Sequence, residues 1–193
     1  MEIKLIAGLA NPGSEYAQTR HNAGAWFIHA LAEQMDIPLR LVKKFHGLSG
    51  DLKLDQQSCH LLIPTTFMNH SGQAIKAMSV FYKIEPAAIL IAHDDIDLSV
   101  GVVKLKTDGG HGGHNGLRDI IQHLGNNKFH RLRIGVGHPG HRDRVHDYVL
   151  NRPSRSDQQK ILANIDDAVD VMPLVINGDI QKAMLQLHTE KGD

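Results

Sequence analysis

The stretch Ile3-Lys4-Leu5-Ile6-Ala7-Gly8 is a short apolar run, and the polar, turn-forming stretch Ala10-Asn11-Pro12-Gly13 follows it closely. An apolar run of this length that ends in turn residues predicts a buried strand. The pattern returns at residues 61–64 and 89–92, and each run leads through a polar loop towards a helical pattern. This alternation predicts an α/β fold, in which α-helices flank a mixed, mainly parallel β-sheet.

Five segments place apolar residues at the spacing of one helix face, and we predict that each forms a helix. They are residues 23–35, 69–82, 115–124, a long segment after Ser156 and a final segment after Asp179. Ser and Asp side chains are suited to cap the N-terminus of a helix. Because no internal repeat and no linker rich in Pro, Gly and Ser divides the chain, we expect residues 1–193 to form a single globular domain.

The composition excludes several classes of protein. Of the 193 residues, 41% are hydrophobic, and the single cysteine, Cys59, allows no internal disulfide. The longest apolar run, residues 87–92, is far shorter than the ~20 residues of a membrane-spanning helix. Since the N-terminus shows no signal-peptide pattern and cysteine is scarce, we expect a cytoplasmic protein that does not enter a membrane.

The charge of the chain is unevenly distributed. The totals are 21 Lys and Arg against 21 Asp and Glu, which argues against a uniformly basic protein. Residues 104–152, however, hold nine basic and four acidic residues, together with seven of the fourteen histidines. A basic face can therefore exist although the formal net charge is zero.

Residues 103–106 and 131–134 alternate apolar and basic side chains with a period of two. Each segment is predicted to be a strand that buries one face and exposes a basic one. The exposed side chains would be Lys104, Lys106, Arg131 and Arg133. They either protect the edge of the sheet or bind phosphate groups.

The loops after the predicted strands are where α/β proteins place their functional residues. If the three apolar strands are parallel neighbours, four polar side chains meet at one edge of the sheet. They are Asn11, His21, Asn69 and Asp94. This set contains a base, a carboxylate and two neutral amides.

His21 is the candidate general base. It stands where a helix is predicted to begin, and we expect the positive end of the helix dipole to keep its imidazole neutral. Asp94 can fix the tautomer of His21 and stabilise its imidazolium form. Cys59 falls inside a strand pattern and the sequence has no nucleophile-elbow motif, so we expect direct attack by water.

The glycine-rich segment 109–116 leads into a predicted helix, and its free backbone N–H groups could bind an anion or an oxyanion. The alternative is a flexible connection in which Asn115 is the helix N-cap. Two histidine pairs have a spacing that zinc ligands also use. They are His111 with His114 and His138 with His141. Because neither pair has an evident third ligand, we predict no metal site.

A series of motifs resembles the bacterial peptidyl-tRNA hydrolase family. They run along nearly the whole chain in the order and spacing of that family. The motifs are Gly8-Leu9-Ala10-Asn11-Pro12-Gly13, then Tyr16, Thr19-Arg20-His21-Asn22-Ala23-Gly24, Pro64-Thr65-Thr66-Phe67-Met68-Asn69-His70-Ser71-Gly72, His93-Asp94-Asp95-Ile96-Asp97, Gly110-His111-Gly112-Gly113-His114-Asn115-Gly116-Leu117 and Phe129-His130-Arg131-Leu132-Arg133-Ile134-Gly135.

The resemblance implies hydrolysis of the ester that joins a peptide, or an N-acyl amino acid, to the terminal ribose of tRNA. This reaction recycles tRNA from peptidyl-tRNA that is released prematurely. The resemblance implies neither a metal ion nor another cofactor. The partner would be peptidyl-tRNA, contacted at its acceptor end and its 5′-phosphate, and a monomer would suffice because the enzyme embraces one tRNA at a time.

The same resemblance assigns roles to individual residues. His21 would be the general base, Asp94 would stabilise its working form, and Asn11 would distinguish a blocked α-amino group from the free amine of aminoacyl-tRNA. Lys106 and Arg133 match the pair that holds the tRNA 5′-phosphate. The remaining matches are to substrate-binding positions and to the wall of the site. The substrate-binding positions are Tyr16, Phe67, Asn69 and Asn115, and the wall residues are Met68 and His114.

Two alternatives stand beside this interpretation. One is a non-catalytic RNA-binding relative of the same fold, although this chain keeps His21, Asp94 and the asparagines. The other is a metal-dependent esterase that uses the histidine cluster and would lose activity in a chelator. We also expect residues 138–149, rich in His and Arg, to form a mobile lid over the site.

Overall fold

The computed structural model describes residues 1–54 and 56–189, which form one mixed sheet of seven strands between two layers of helices. Along the chain the strands are β1 (Leu5–Gly8), β2 (Arg40–Val42), β3 (Gly47–Leu54), β4 (Gln57–Pro64), β5 (Ile89–Asp95), β6 (Val103–Thr107) and β7 (His130–Gly135). The α-helices are α1 (Ala23–Gln34), α2 (Ser71–Tyr82), α3 (Asn115–Leu124), α4 (Val145–Val149), α5 (Arg155–Asp170), α6 (Met172–Ile176) and α7 (Ile180–Thr189). None of these described helices combines the length and the apolar character needed to cross a membrane.

The order of the strands across the sheet is β2-β3-β4-β1-β5-β7-β6. The central strands β4, β1, β5 and β7 are parallel to one another, whereas β2, β3 and β6 are antiparallel to their neighbours. This confirms the predicted mixed sheet with a parallel centre. Because β1 lies between β4 and β5, the loops that follow these three strands meet at one edge of the sheet.

Helices cover both faces of the sheet, which explains why its central strands are continuous apolar runs. Ile6 of β1 packs into a cluster with side chains of α1, α5, α6 and α7. Its neighbours Leu5 and Ala7 pack into a second cluster, with side chains of α2 and α3. Successive residues of β1 therefore anchor opposite helix layers.

Two glycines allow α1 to lie very close to the sheet. A Cβ atom on Gly8 would lie 2.0 Å from the backbone oxygen of Gly24, and a Cβ atom on Gly24 would lie 2.3 Å from the backbone oxygen of Ala92. A larger residue at either position would displace backbone. The close contact brings the turn of 3-10 helix before α1 (Arg20–Asn22) against β5.

Several predicted elements differ from the structure in extent. The helices α1, α2 and α3 lie within two residues of their predicted limits. The helix predicted after Ser156 begins at Arg155 with Ser154 as its N-cap, and it ends at Asp170, before the separate α6. Sequence patterns do not predict β2 and β3, because few of their side chains are buried and neither strand shows an apolar period.

Candidate active site

A cavity of about 1060 Å³ opens where the loops after β1, β4 and β5 meet. Every residue to which the family resemblance assigns a role in catalysis or binding lines this cavity. These residues are Asn11, Tyr16, His21, Phe67, Met68, Asn69, Asp94, Lys106, His114, Asn115 and Arg133. Residues that are far apart in the chain meet here because the carboxyl ends of neighbouring parallel strands share one edge of the sheet.

His21 and Asp94 form a hydrogen-bonded pair in the cavity. His21 lies in the 3-10 turn before α1, Asp94 lies near the end of β5, and both side chains are buried. Nδ1 of His21 donates to Oδ1 of Asp94 over 2.8 Å. Among the described residues no hydrogen bond engages Nε2 of His21, so this nitrogen can accept a proton from a molecule in the cavity.

The electrostatics of this pair differ from the prediction. Burial alone would lower the pKa of His21, but the charge of Asp94 and its hydrogen bond outweigh burial and raise this pKa above the ordinary 6.5. This direction is opposite to the effect predicted for the helix dipole, because a carboxylate in direct contact has more influence on the pKa than the partial charge of a helix end. Burial would likewise raise the pKa of Asp94, but His21 and His114 hold it well below its usual range.

His114 contacts the same oxygen of this carboxylate, and its ring centroid lies 4.8 Å from that of His21. Its Nε2 donates to Oδ1 of Asp94 over 2.9 Å, while its Nδ1 accepts from the backbone N–H groups of Gly116 and Leu117 at 3.2 and 3.4 Å. The N-cap of α3 is therefore His114, and the alternative interpretation in which Asn115 is the N-cap is wrong. In this arrangement Nε2 of His114 carries a proton, and Nδ1 offers its lone pair to the two backbone N–H groups.

The three side chains of this network are also candidate metal ligands. Within the described residues, His21, Asp94 and His114 have ligand atoms that all lie within 4.8 Å of one another. A histidine that binds a metal usually donates a hydrogen bond through its other ring nitrogen. Because Nδ1 of His114 instead accepts from two backbone amides, this residue does not fit the role of a metal ligand.

Two asparagine side chains in the cavity are held as hydrogen-bond donors. The backbone N–H of Met68 donates to Oδ1 of Asn11 over 2.8 Å, and Nη1 of Arg118 donates to Oδ1 of Asn115 over 2.9 Å. Since each oxygen is engaged, each Nδ2 group is available to an acceptor on a bound molecule. Asn69 lines the same cavity from the 3-10 turn that precedes α2.

Tyr16 and Phe67 form an aromatic pair at the cavity. Their rings meet edge to face with centroids 6.4 Å apart. The side chain of Phe67 is 54% exposed, which is high for an aromatic residue. Such a surface beside a polar cavity suits stacking with a base or contact with an apolar side chain.

The basic side chains of β6 and β7 are predicted to lie on an exposed face of the sheet, and this holds for only some of them. Lys106 and Arg133 line the cavity, and Nε of Arg133 donates to Oδ2 of Asp95 over 2.7 Å. Arg131, however, is buried, and its guanidinium donates to two backbone oxygens of the glycine-rich segment, those of Gly109 and Gly110. Arg131 therefore holds this segment in place, and the prediction that it is exposed to phosphates is wrong.

Residues 138–149, predicted to be a lid, contribute a 3-10 turn and α4 to one wall of the cavity. Arg20 holds the end of this wall. Its guanidinium donates to the backbone oxygens of Tyr148, Asn151 and Arg152 at 3.1 to 3.2 Å, and its Cζ atom lies 3.9 Å from the centroid of the Tyr148 ring. That this wall moves stays a prediction.

Cys59 is not among the described residues that line the cavity. It is buried in β4, and burial raises the pKa of its thiol to about 12. A thiol that stays protonated at neutral pH is a poor nucleophile. This finding agrees with the expected direct attack by water.

Sequence patterns assign no role to several side chains that hold the candidate site residues in place. These side chains are Arg20, Asn22, Asp95 and Arg118. The first two flank His21 and are buried although they are polar. Their position next to a candidate base in the sequence is a signal that they belong to the site. The sequence does not show which atoms they contact, whereas the fold does.

Comparison with known proteins confirms the resemblance found in the motifs. The peptidyl-tRNA hydrolase family model matches residues 5–193. A peptidyl-tRNA hydrolase of Legionella pneumophila (strain Lens) is 56% identical over 97% of this chain and 100% of that protein, and one of Coxiella burnetii (strain RSA 331 / Henzerling II) is 54% identical over 97% of this chain and 98% of that protein. The crystal structure of peptidyl-tRNA hydrolase from Acinetobacter baumannii, at 51% identity, superposes with a TM-score of 0.94 over 97% of this chain and 95% of that one. With its fold, its motifs and its relatives in agreement over almost its whole length, the chain belongs to the peptidyl-tRNA hydrolase family.

Proposed function

We propose that this chain hydrolyses the ester bond between peptide and tRNA in peptidyl-tRNA, with His21 as the general base that activates water. The observation that carries the proposal is the hydrogen bond from Nδ1 of His21 to the buried Asp94, which leaves Nε2 unengaged at the cavity. Membership of the peptidyl-tRNA hydrolase family supports the substrate and the reaction. The intact pair argues against a non-catalytic RNA-binding role.

The proposed reaction has two steps. Nε2 of His21 takes a proton from water while the water oxygen bonds to the carbonyl carbon of the ester. Asp94 stabilises the resulting imidazolium, and N–H donors of the site stabilise the negative carbonyl oxygen. The intermediate then breaks its bond to the ribose oxygen, which takes the proton from His21. The products are a free peptide and a tRNA with a free terminal hydroxyl, and neither a metal ion nor a covalent enzyme intermediate is required.

We assign the stabilisation of the negative carbonyl oxygen to the amides of Asn69 and Asn115. A neutral amide donates at every pH, and one such donor can lower a barrier of this kind by roughly 3 kcal/mol. The contact with Arg118 supports this role for Asn115, because it engages the amide oxygen and leaves the NH₂ group as the free end.

The orientation of Asn11 supports its role in recognising a blocked α-amino group. Because its oxygen accepts from the backbone of Met68, the free end of the side chain is a donor. In a peptide or an N-acyl amino acid, the blocked amine carries a carbonyl oxygen that can accept from this donor. The protonated amine of aminoacyl-tRNA has N–H donors and no acceptor, so in this form it cannot accept a hydrogen bond from Asn11.

The other cavity residues are proposed to bind the rest of the substrate. Lys106 and Arg133 would hold the 5′-phosphate at the acceptor end of the tRNA, and contacts to phosphate position an RNA without reading its sequence. The four residues Tyr16, Phe67, Met68 and His114 would form the substrate-facing wall. They line the cavity together with the proposed catalytic pair.

We also propose that residues 1–193 act as a single-domain monomer in the cytoplasm. One chain supplies every proposed site residue, and these residues line one cavity, so the site needs no second subunit. The proposed substrate is a product of translation, which supports a cytoplasmic location.

The experiment that tests the function measures release of free tRNA from N-acetyl-aminoacyl-tRNA, with aminoacyl-tRNA as the control substrate, in the presence and absence of a chelator. We expect hydrolysis of the first substrate only, at the same rate in chelator. Loss of activity in chelator would favour the metal-dependent esterase. In the His21→Ala variant we expect turnover to disappear while tRNA binding and the melting temperature stay close to those of the unchanged chain, and near-normal turnover would overturn the assignment of the base.

A further inference from the structure

We propose that Asn22 is a positioning residue that sets the discrimination between N-blocked and free aminoacyl substrates by holding Asn11 in place. The inference rests on the proposed function, because it deepens the role assigned to Asn11 there. Asn22 does not belong to the proposed set of groups that touch the substrate. It acts through its hydrogen bonds to the backbone of Asn11, the residue that is proposed to touch the substrate.

The contact between the two asparagines is reciprocal and buried. Oδ1 of Asn22 accepts from the backbone N–H of Asn11 over 2.9 Å, and Nδ2 of Asn22 donates to the backbone oxygen of Asn11 over 2.9 Å. The side chain of Asn22 is buried in the 3-10 turn, with the residue 4% exposed. One amide therefore satisfies both backbone polar groups of Asn11, and it uses its donor and its acceptor in doing so.

The loop that carries Asn11 has few other means of holding its shape. The next residue is Pro12, which has no backbone N–H, and Gly13 has a φ of 106°, a conformation that glycine adopts readily. Among the described residues, the backbone of Asn11 forms hydrogen bonds only with Asn22, and a third bond, from the backbone N–H of Met68, fixes the side-chain oxygen of Asn11. Without Asn22, the two backbone groups must find water, and the loop must move to reach it.

A movement of this kind would act on specificity more than on chemistry. The Nδ2 group of Asn11 selects a substrate only if it lies within hydrogen-bond distance of the acyl oxygen, so a displacement of about 1 Å weakens that contact. The pair of His21 with Asp94 has no hydrogen bond to Asn22 or Asn11. The two adjacent residues thus have different roles. His21 takes part in the chemistry, and Asn22 supports substrate recognition.

The test compares kcat/KM for N-acetyl-aminoacyl-tRNA and for the same aminoacyl-tRNA with a free amine. The variants are Asn22→Ala, Asn11→Ala and the double variant. We expect Asn22→Ala to lower the ratio of the two kcat/KM values by about tenfold, the factor that corresponds to the loss of one or two buried hydrogen bonds. The double variant should match Asn11→Ala alone, because Asn22 acts through Asn11.

Two further measurements separate positioning from general destabilisation. The pH midpoint of kcat/KM should be the same in Asn22→Ala as in the unchanged chain, because the contacts of His21 are intact. Asn164→Ala is the matched control, since Asn164 is an equally buried asparagine in α5, and it should leave the ratio unchanged. If Asn22→Ala does not fold, Asn22→Asp serves instead, because it keeps the size of the side chain and replaces the donor that faces the Asn11 carbonyl by an oxygen.

The outcomes distinguish the inference from the function on which it rests. If Asn11→Ala lowers the ratio and neither Asn22 variant does, the inference is overturned and the proposed function stands. If the double variant is much less selective than Asn11→Ala, Asn22 acts independently and the inference also fails. If the unchanged chain does not prefer the N-acetylated substrate, the proposed function itself is wrong.

Discussion

Asp94 accepts hydrogen bonds from His21 and His114 through the same oxygen, but of the two histidines only His21 keeps a ring nitrogen without a hydrogen bond in the described structure. The free electron pair of His114 already accepts from the backbone at the start of α3. His21 meets Asp94 through Nδ1 and keeps Nε2 for the cavity. The choice among fourteen histidines therefore depends on which ring nitrogen is left unengaged, and no sequence pattern encodes that.

The substitution Asp94→Asn tests this electrostatic arrangement. His21 must be unprotonated to act, and Asp94 raises its pKa, so we expect the acidic midpoint of kcat/KM to lie above pH 6.5 in the unchanged chain and lower in the variant. We also expect kcat to fall by about a hundredfold or more, because the imidazolium loses its partner and the tautomer its restraint. The measurement is kcat/KM against pH with N-acetyl-aminoacyl-tRNA, corrected for spontaneous hydrolysis.

The control for this prediction is Asp97→Asn. Asp97 lines the same cavity and does not contribute to the raised pKa of His21, so its removal should leave the midpoint in place. A midpoint that is unchanged in Asp94→Asn would show that some other group sets the titration of the base.

Lys106 gives a prediction about the RNA. It lines the cavity, and in the described part of the chain no acidic side chain forms an ion pair with it. If Lys106 contacts a phosphate, Lys106→Ala should raise KM and reduce the slope of log KM against log salt by about one. Lys182→Ala on α7 is the control, since that exposed lysine already pairs with Asp179. Equal salt slopes in both variants would contradict a phosphate contact of Lys106. They would favour the alternative that the basic side chains of β6 protect the edge of the sheet.

Arg131 and Arg133 show where prediction at the residue scale ends. Both lie on β7 with one residue between them, so the period-two rule puts them on the same face. The structure agrees, since both side chains line the cavity, but the glycine-rich segment covers Arg131, which is buried, whereas Arg133 is half-buried and pairs with Asp95. Strand periodicity predicts the face of a residue, and the loops that cross that face decide which residues on it are exposed.

At the scale of elements, α4 depends on a contact outside its own sequence. A helix of five residues has little stability by itself. Arg20 donates to the backbone oxygen of Tyr148 in the last turn of α4 and to those of Asn151 and Arg152 just beyond the end of this helix, and it also covers the ring of Tyr148. The wall of the cavity is therefore attached to the turn that carries His21.

We expect Arg20→Met to release this wall. The loss of charged hydrogen bonds should lower the free energy of unfolding by about 2 kcal/mol, and amide exchange in residues 138–150 should become about tenfold faster or more. Hydrogen–deuterium exchange measured peptide by peptide is the direct test. Arg155→Met, at the exposed start of α5, should leave this exchange unchanged. Unchanged exchange in Arg20→Met would mean that other contacts hold the wall and that Arg20 is not its anchor.

Elements can be predicted from the sequence where the burial of one face gives their apolar residues a regular spacing. Elements without such a spacing cannot be predicted in this way. The three parallel strands and α1 to α3 have apolar runs or apolar faces that a reader can find without a structure. β2 and β3 lie at one edge of the sheet with few buried side chains, and α4 is too short to show a repeat. The alternative interpretation with Asn115 as the N-cap of α3 is off by one residue, because a histidine takes the place that asparagine commonly holds.

At the scale of the whole molecule, the fourteen histidines differ in how deeply they are buried. Most are exposed or half-buried, but His93 is fully buried beside Asp94, and its Nδ1 donates to the backbone oxygen of Asp94 over 2.7 Å. In the described structure its Nε2 is buried without a hydrogen-bond partner. Burial and the nearby His114 lower the pKa of His93 to about 4, although Asp94 and Asp95 act in the opposite direction. Protonation of His93 therefore lowers the free energy of unfolding.

This buried histidine predicts how the stability of the chain depends on pH. Between about pH 6.5 and 4 the unfolded chain binds a proton at His93 and the folded chain does not, so stability falls as the pH falls through this range. The loss should reach about 2 to 3 kcal/mol near pH 4.5. His21 does not offset it, because a histidine with a raised pKa is protonated in both states over most of this range. Asp94 has a lowered pKa, so its contribution is lost only at still lower pH.

The variant His93→Asn isolates this effect, because Asn can still donate to the Asp94 carbonyl but cannot bind a proton. Its melting temperature at neutral pH should be lower, since the smaller side chain leaves a cavity, yet it should fall by fewer degrees between pH 7 and about pH 4.5 than that of the unchanged chain. Some slope should remain, because burial also lowers the pKa values of His130 and His188. His29→Asn, at an exposed site on α1, should keep the full slope. If His93→Asn keeps it too, the acid sensitivity of the fold lies elsewhere and the buried histidine at the centre of the site is protonated at little cost.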